Sequence, residues 1–384
     1  MLRPYGSFRR ATLLGSLLTV VALSGAYANN EQVLYAFTGG PDGADPINGV
    51  TRDAAGNLYG TTFYGGTGGG AVFKLSPDGT LTTLHTFTGG ADGKNPSSNL
   101  ILDKASGVLY GAAEGGPNNY GLIFALAPDG TETVIYNFTG GGNGNNPVGP
   151  ISRDAQGNFY GTSNGGGDCN CGIVYKVTSS GIETVLHTFT GSDGANPTGL
   201  KRFHSGYLYG TTFSGGGGCG CGTVFKIAPD GTETVLHAFA GGGDGSYPQT
   251  GAGVVKDRSG NLYGTTYTGG ASNEGTVYKI APDGTETVLH SFTGGSDGDY
   301  PISDLLITRA GRLYGTTSSG GDSNKGTVFA LDPDGTESIL HSFSGGSDGA
   351  FPRGRLTHGR NGLLYGTTYQ GGPSYGTVFS VNMQ

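Results

Sequence analysis

The chain has 384 residues, of which 79 are glycine and 13% are charged, and its formal net charge is −8. Sparse, net-negative charge excludes a nucleic-acid binder, which needs clustered lysine and arginine. Glycine at this frequency would signal low complexity or disorder if it did not recur at fixed places between alternating apolar runs.

Residues 1–28 read as a cleaved signal peptide. Arg3, Arg9 and Arg10 precede an apolar run from Ala11 to Leu23, and Ala26-Tyr27-Ala28 offers small residues for the cut. No second hydrophobic span follows, so no transmembrane segment is expected after cleavage, and the predicted location is exported, periplasmic or secreted. The remaining 29–384 are expected to form a single domain, most simply a monomer.

Gln32 to Phe37 opens that domain as a short strand. Leu-Tyr-Gly-Thr-Thr or a close variant then recurs with its glycine at Gly60, Gly111, Gly161, Gly210, Gly264, Gly315 and Gly366. A period of about 50 residues means one supersecondary unit stacked on its neighbours. In the fifth unit, strands are predicted over 251–256, 261–267, 275–280 and 285–292, with Pro282-Asp283-Gly284 as a tight turn. No stretch shows capped helical periodicity. Four antiparallel strands per unit predict an all-β, seven-bladed β-propeller. The third strand occurs seven times, but its fourth-strand partner follows it only six times, and the missing copy is the 32–37 run. The N-terminal strand is therefore expected to pair with the C-terminal blade and close the ring, removing the edges of an open array. The short turns then share one face, and the long Gly-Gly loops share the other, where binding is expected.

The units G-N-L-Y-G-T-T, G-T-V-F-K-I, P-D-G-T-E-T-V-L-H-S-F and G-G-S-D-G resemble the GloVer tandem-repeat family of exported bacterial proteins, over essentially all of residues 31–381. The resemblance implies an exported β-propeller and carries no activity with it.

Few residues break the repeat. Cys169/Cys171 and Cys219/Cys221 form two Cys-x-Cys pairs in consecutive long loops. In an exported chain they suit disulfides within each loop; a four-thiolate zinc site across both loops is the alternative. Asp42, Asp92, Asp193, Asp244, Asp297 and Asp348 share one position on the long-loop face, with Asn143 in the remaining copy. They suit turn chemistry and are also the candidate ligand-binding residues; one or two blades could hold calcium, though no cofactor is required. His85, His187, His237, His290 and His341 alternate with Tyr35 and Tyr136, as a packing position with a polar tip would. His204 and His358 have no catalytic partner in a recognisable arrangement. The repeated glycine is expected to let a ring of the neighbouring blade, such as Phe225 or Tyr278, lie on the backbone. No catalytic residue is assigned. The expected function is a non-catalytic binding or scaffold module whose partner is a protein or a glycan, acting through the long-loop face. The alternative is a secreted hydrolase or lyase acting on a glycan or lactone, for which Asp299, Glu274 and Asp168 are the asymmetric carboxylates.

Overall fold

Apolar and polar residues alternate over five or six positions between glycine-bearing turns, and such runs form short strands. The computed structural model describes residues 30–203, 205–249, 251 and 253–384, so the predicted signal segment and His204 lie outside the described residues. The strands gather into seven antiparallel sheets, the blades of a seven-bladed β-propeller. Blade five consists of inner Val255–Lys256, then Leu262–Thr266, Thr276–Ile280 and outer Glu286–Ser291. Its inner strand is shorter than the predicted 251–256. In blade seven the inner strand is broken, with Ala350–Pro352 and Thr357–His358 pairing with opposite ends of Leu363–Gln370. In blades three and four it is continuous across a register shift.

The ring closes as its strand count requires. Glu31–Ala36 pairs antiparallel with Thr377–Asn382, Glu31 opposite Val381 and Ala36 opposite Thr377. The N-terminal strand is thus the outer strand of the last blade, and Phe37 N donates to Gly376 O at 3.0 Å. Among the described residues no helix is long and apolar enough to cross a membrane.

The core lies between blades. Each outer strand is followed by a buried phenylalanine that meets a buried ring from strand three of the next blade, edge to face. The seven pairs, from Phe37–Phe73 to Phe343–Phe379, have centroids 5.0 to 5.3 Å apart. Such pairs contribute about 0.5–1.5 kcal/mol beyond the area they bury. The same strand-three rings explain the repeated glycine, but from within the blade. Gly60 lies directly opposite Phe73, and Gly264 opposite Tyr278. A Cβ on Gly60 would sit 2.5 Å from Phe73 Cζ. The ring that needs the glycine is therefore its cross-strand partner and not, as the sequence suggested, one from the neighbouring blade.

Candidate functional site

The long-loop face begins where each outer strand leaves its blade. The six repeated aspartates lie there, and their carboxylates turn back into their own loops. Asp297 accepts from Thr293 N at 2.9 Å and Thr293 Oγ1 at 2.6 Å, and Asp42 accepts the same pair from Thr38. The strand-four histidine joins them: His187 Nε2 lies 2.9 Å from Asp193 and His237 Nε2 3.0 Å from Asp244. Each histidine ring also packs edge-on against the phenylalanine two residues later, as in His290–Phe292 at 4.8 Å. The packing position and the aspartate loop, read separately in the sequence, are thus one constellation.

Nearer the channel, every blade leads into its inner strand through an X-Pro pair in which X has positive φ. These residues are Asp45, Asn95, Asn146, Asn196, Tyr247, Tyr300 and Phe351, with φ between +50° and +59°. A left-handed conformation costs an ordinary L-residue roughly 1–2 kcal/mol, while Asn and Asp tolerate it; a following proline makes it harder still. Two contacts impose it. The X backbone N–H donates to the previous blade, as Tyr247 N does to Cys221 O at 2.8 Å and Tyr300 N to Glu274 O at 2.9 Å. The proline packs on the glycine that opens strand three of that blade: a Cβ on Gly275 would lie 2.6 Å from Pro301 Cδ. Four blades fill the strained position with Asp or Asn, and three consecutive blades fill it with a large half-exposed aromatic ring.

Those rings form a crescent with aromatic residues at the C-terminal end of strand two. Tyr247 stacks on Phe213 with centroids 5.1 Å apart, and Tyr300 stacks on Tyr267 at 4.7 Å, both at an interplanar angle of 28°. The Arg353 guanidinium lies 4.3 Å from the Tyr369 ring centroid, and the Lys325 ammonium 4.8 Å from that of Phe351. The crescent borders a channel cavity of about 240 Å³ that Gln249, Ile302 and Arg353 help to line.

Of the asymmetric carboxylates, the structure brings Glu274 and Asp299 together beside this crescent and leaves Asp168 in the Cys169/Cys171 loop. Burial, reinforced by the charges of Glu274 and Asp297, pushes the Asp299 carboxyl up to about 6. The sulfurs of Cys169 and Cys171 are at bonding distance, as are those of Cys219 and Cys221, so no four-thiolate zinc site forms. Among the described residues three metal-donor side chains converge in two groups, His187/Asp193/Glu233 and His290/Asp297/Glu337. Both contain an imidazole, and neither is the all-oxygen set that calcium takes.

The opposite mouth differs in charge. Every described lysine and arginine except Lys94, Lys325 and Arg353 belongs to the inner strands, strand three or the short turns. A cavity of about 710 Å³ there includes Asn99, Lys201 and Arg355 among its lining residues. The Lys201 ammonium is 3.9 Å from buried Asp304. Burial lowers its pKa, Asp304 opposes this, and Arg355 adds to it. His358 is exposed at the end of its inner strand.

Residues 19–220 and 200–384 match the model of the Gloeobacter/Verrucomicrobia repeat. No curated protein sequence matches. Among solved structures, the chain is similar to an extracellular domain from B. thetaiotaomicron described as that of a hybrid two component system, with TM-score 0.59, 10% identity, and 91% of this chain but 39% of that one covered. It is also similar to a gluconolactonase from Xanthomonas campestris, with TM-score 0.46, 16% identity and coverage of 76% and 87%. A calcium-binding regucalcin from Agrobacterium tumefaciens gives TM-score 0.45, 14% identity and coverage of 74% and 90%. At these identities the first likeness is one of fold alone.

Proposed function

The chain belongs to the Gloeobacter/Verrucomicrobia repeat family, and on that footing we propose that it is an exported, non-catalytic binding module that holds a neutral glycan on its long-loop face. The observation that carries this reading is the aromatic crescent. Tyr247, Tyr300 and Phe351 occupy a backbone conformation for which the chain uses Asn or Asp in every other blade. Strain of this kind persists where function requires the side chain. Flat, half-exposed rings stack on the apolar faces of sugars, and the neighbouring half-exposed Glu274 offers a carboxylate acceptor for sugar hydroxyls. The acidic loops around the crescent disfavour an anionic polymer. The paired cysteines fit an oxidising compartment.

The test is affinity electrophoresis through gels containing neutral polysaccharides. The wild-type protein should be retarded by at least one of them. The triple variant Tyr247→Asn, Tyr300→Asn, Phe351→Asn should migrate freely while keeping its circular dichroism spectrum. Retardation that survives the triple substitution refutes the reading.

One observation favours a second reading, a glycan hydrolase or lyase. Asp299 has its carboxyl raised toward neutrality beside a second carboxylate, Glu274, the pairing by which glycan-cleaving enzymes separate acid from base. Release of reducing ends from a retained polysaccharide, abolished by Asp299→Asn with binding unchanged, would establish it.

A further inference from the structure

The aspartate–histidine constellation has a third member, contributed by the next blade. Glu337, which opens the outer strand of blade six, places Oε2 3.7 Å from His290 Nε2, and His290 is 3.5 Å from Asp297 Oδ2. Glu233 completes the set at His187 and Asp193, and in each group the three donor atoms lie within 4.8 Å of one another. His290 Nε2 and Glu337 Oε1 are both buried without a hydrogen-bond partner.

The chain carries its own control. His85, His237 and His341 also stand beside an aspartate, and a glutamate of the following blade lies near that aspartate, the last being Glu31 after ring closure. At the two remaining interfaces one carboxylate is missing, and at both the histidine is a tyrosine. Tyr35 faces Leu81 where the glutamate would be and donates instead to Asp42 at 3.1 Å. Tyr136 has Asn143 in place of the aspartate and donates to Glu183 at 2.7 Å. Histidine therefore occurs at the interfaces that carry two carboxylates and is absent from those that carry only one. A packing role alone would not couple the ring to the second carboxylate.

We propose that these blade interfaces bind divalent metal ions of the zinc class, with His290, Asp297 and Glu337 forming one site and His187, Asp193 and Glu233 another. One imidazole and two carboxylates carry two negative charges, which a divalent ion neutralises. Zinc accepts such a mixed nitrogen and oxygen set with water as fourth ligand, and its tetrahedral ligands stand about 3.3 Å apart, close to the separations at His290. Because the ligands come from two blades, the ion clips one blade to the next.

The experiment is equilibrium dialysis of the untagged, metal-stripped protein against Zn(II), with Co(II) absorption reporting coordination. At least two equivalents should bind. His290→Tyr and His187→Tyr should each remove one equivalent, and both should fold, since Tyr35 and Tyr136 already fill this position. Joining Tyr136→His to Asn143→Asp beside Glu183 should add one. The exposed control His358→Tyr should change nothing. Failure to bind Zn(II), or an unchanged count in both His→Tyr variants, overturns the proposal and leaves a shared proton as the only counter-ion of these clusters.

Discussion

Substitution of Phe351 probes the backbone strain on which the aromatic crescent rests. Its φ is +57° and the next residue is Pro352. Phe351→Asn relieves much of a penalty of roughly 1–2 kcal/mol. It also removes a half-buried ring, worth about 1 kcal/mol on the area scale, and a contact with Lys325 of about 0.5–1 kcal/mol. The gains and losses nearly cancel, so the variant should lie within about 1 kcal/mol of wild type. Phe351→Ala loses the same contacts and keeps the strain, and so should be less stable than Phe351→Asn by about 1 kcal/mol. Phe343→Asn, at a ring buried without this strain, should cost about 3–5 kcal/mol. Urea unfolding with linear extrapolation reads all three, provided the slope is unchanged. If Phe351→Ala equals or exceeds Phe351→Asn in stability, the ring is not held against a conformational cost and the functional reading of the crescent fails.

Removing residues 29–45 deletes the outer strand of the last blade, and light scattering should show misfolding or aggregation; a monomer with the full-length melting curve would contradict the closure. Gly60→Ala should destabilise by about 1–3 kcal/mol through its clash with Phe73, and Gly142→Ala, with nothing within 4 Å of its added Cβ, should be neutral in the same urea assay. Mass spectrometry of exported protein should find the Cys169–Cys171 and Cys219–Cys221 disulfides and no free thiol. In the inner turn, burial alone would raise the Asp257 carboxyl, but hydrogen bonds from Asn261 and Tyr263 outweigh it and hold the pKa below the ordinary value. Stability from a depressed carboxyl is present above about pH 4 and lost as pH falls through the folded pKa. Asp257→Asn should accordingly flatten the acid side of the melting-temperature profile, and an unchanged acid limb would refute that linkage.

The architecture was legible because the repeat counts its own strands: seven third strands, six following fourth strands, and one spare at 32–37 lead directly to closure. The source of the ring over Gly60 was not legible, since it depends on cross-strand register, which one unit's sequence leaves open. The loop aspartates and the strand-four histidines were visible as positions but not as partners, because the glutamate that couples them lies one blade on. Their signal is the joint change of Tyr35 with Leu81 and of Tyr136 with Asn143. The crescent was also present in the sequence, as the change from Asn to Tyr or Phe before the proline that opens each unit. Its meaning required the φ values, because an aromatic-proline pair in extended backbone carries no strain.

The measurement that bears most directly on the central claim compares the two mouths of the channel. A neutral oligosaccharide retained in the electrophoretic screen is titrated calorimetrically into wild type, the triple variant Tyr247→Asn, Tyr300→Asn, Phe351→Asn, and the double variant Lys201→Ala, Arg202→Ala, whose residues line the opposite mouth alone. With about 0.5–1.5 kcal/mol per stacked ring, the triple variant should bind roughly 10- to 2000-fold more weakly, and the double variant should match wild type. Loss of binding in the double variant with the triple variant unaffected would place the ligand at the opposite mouth and contradict the account.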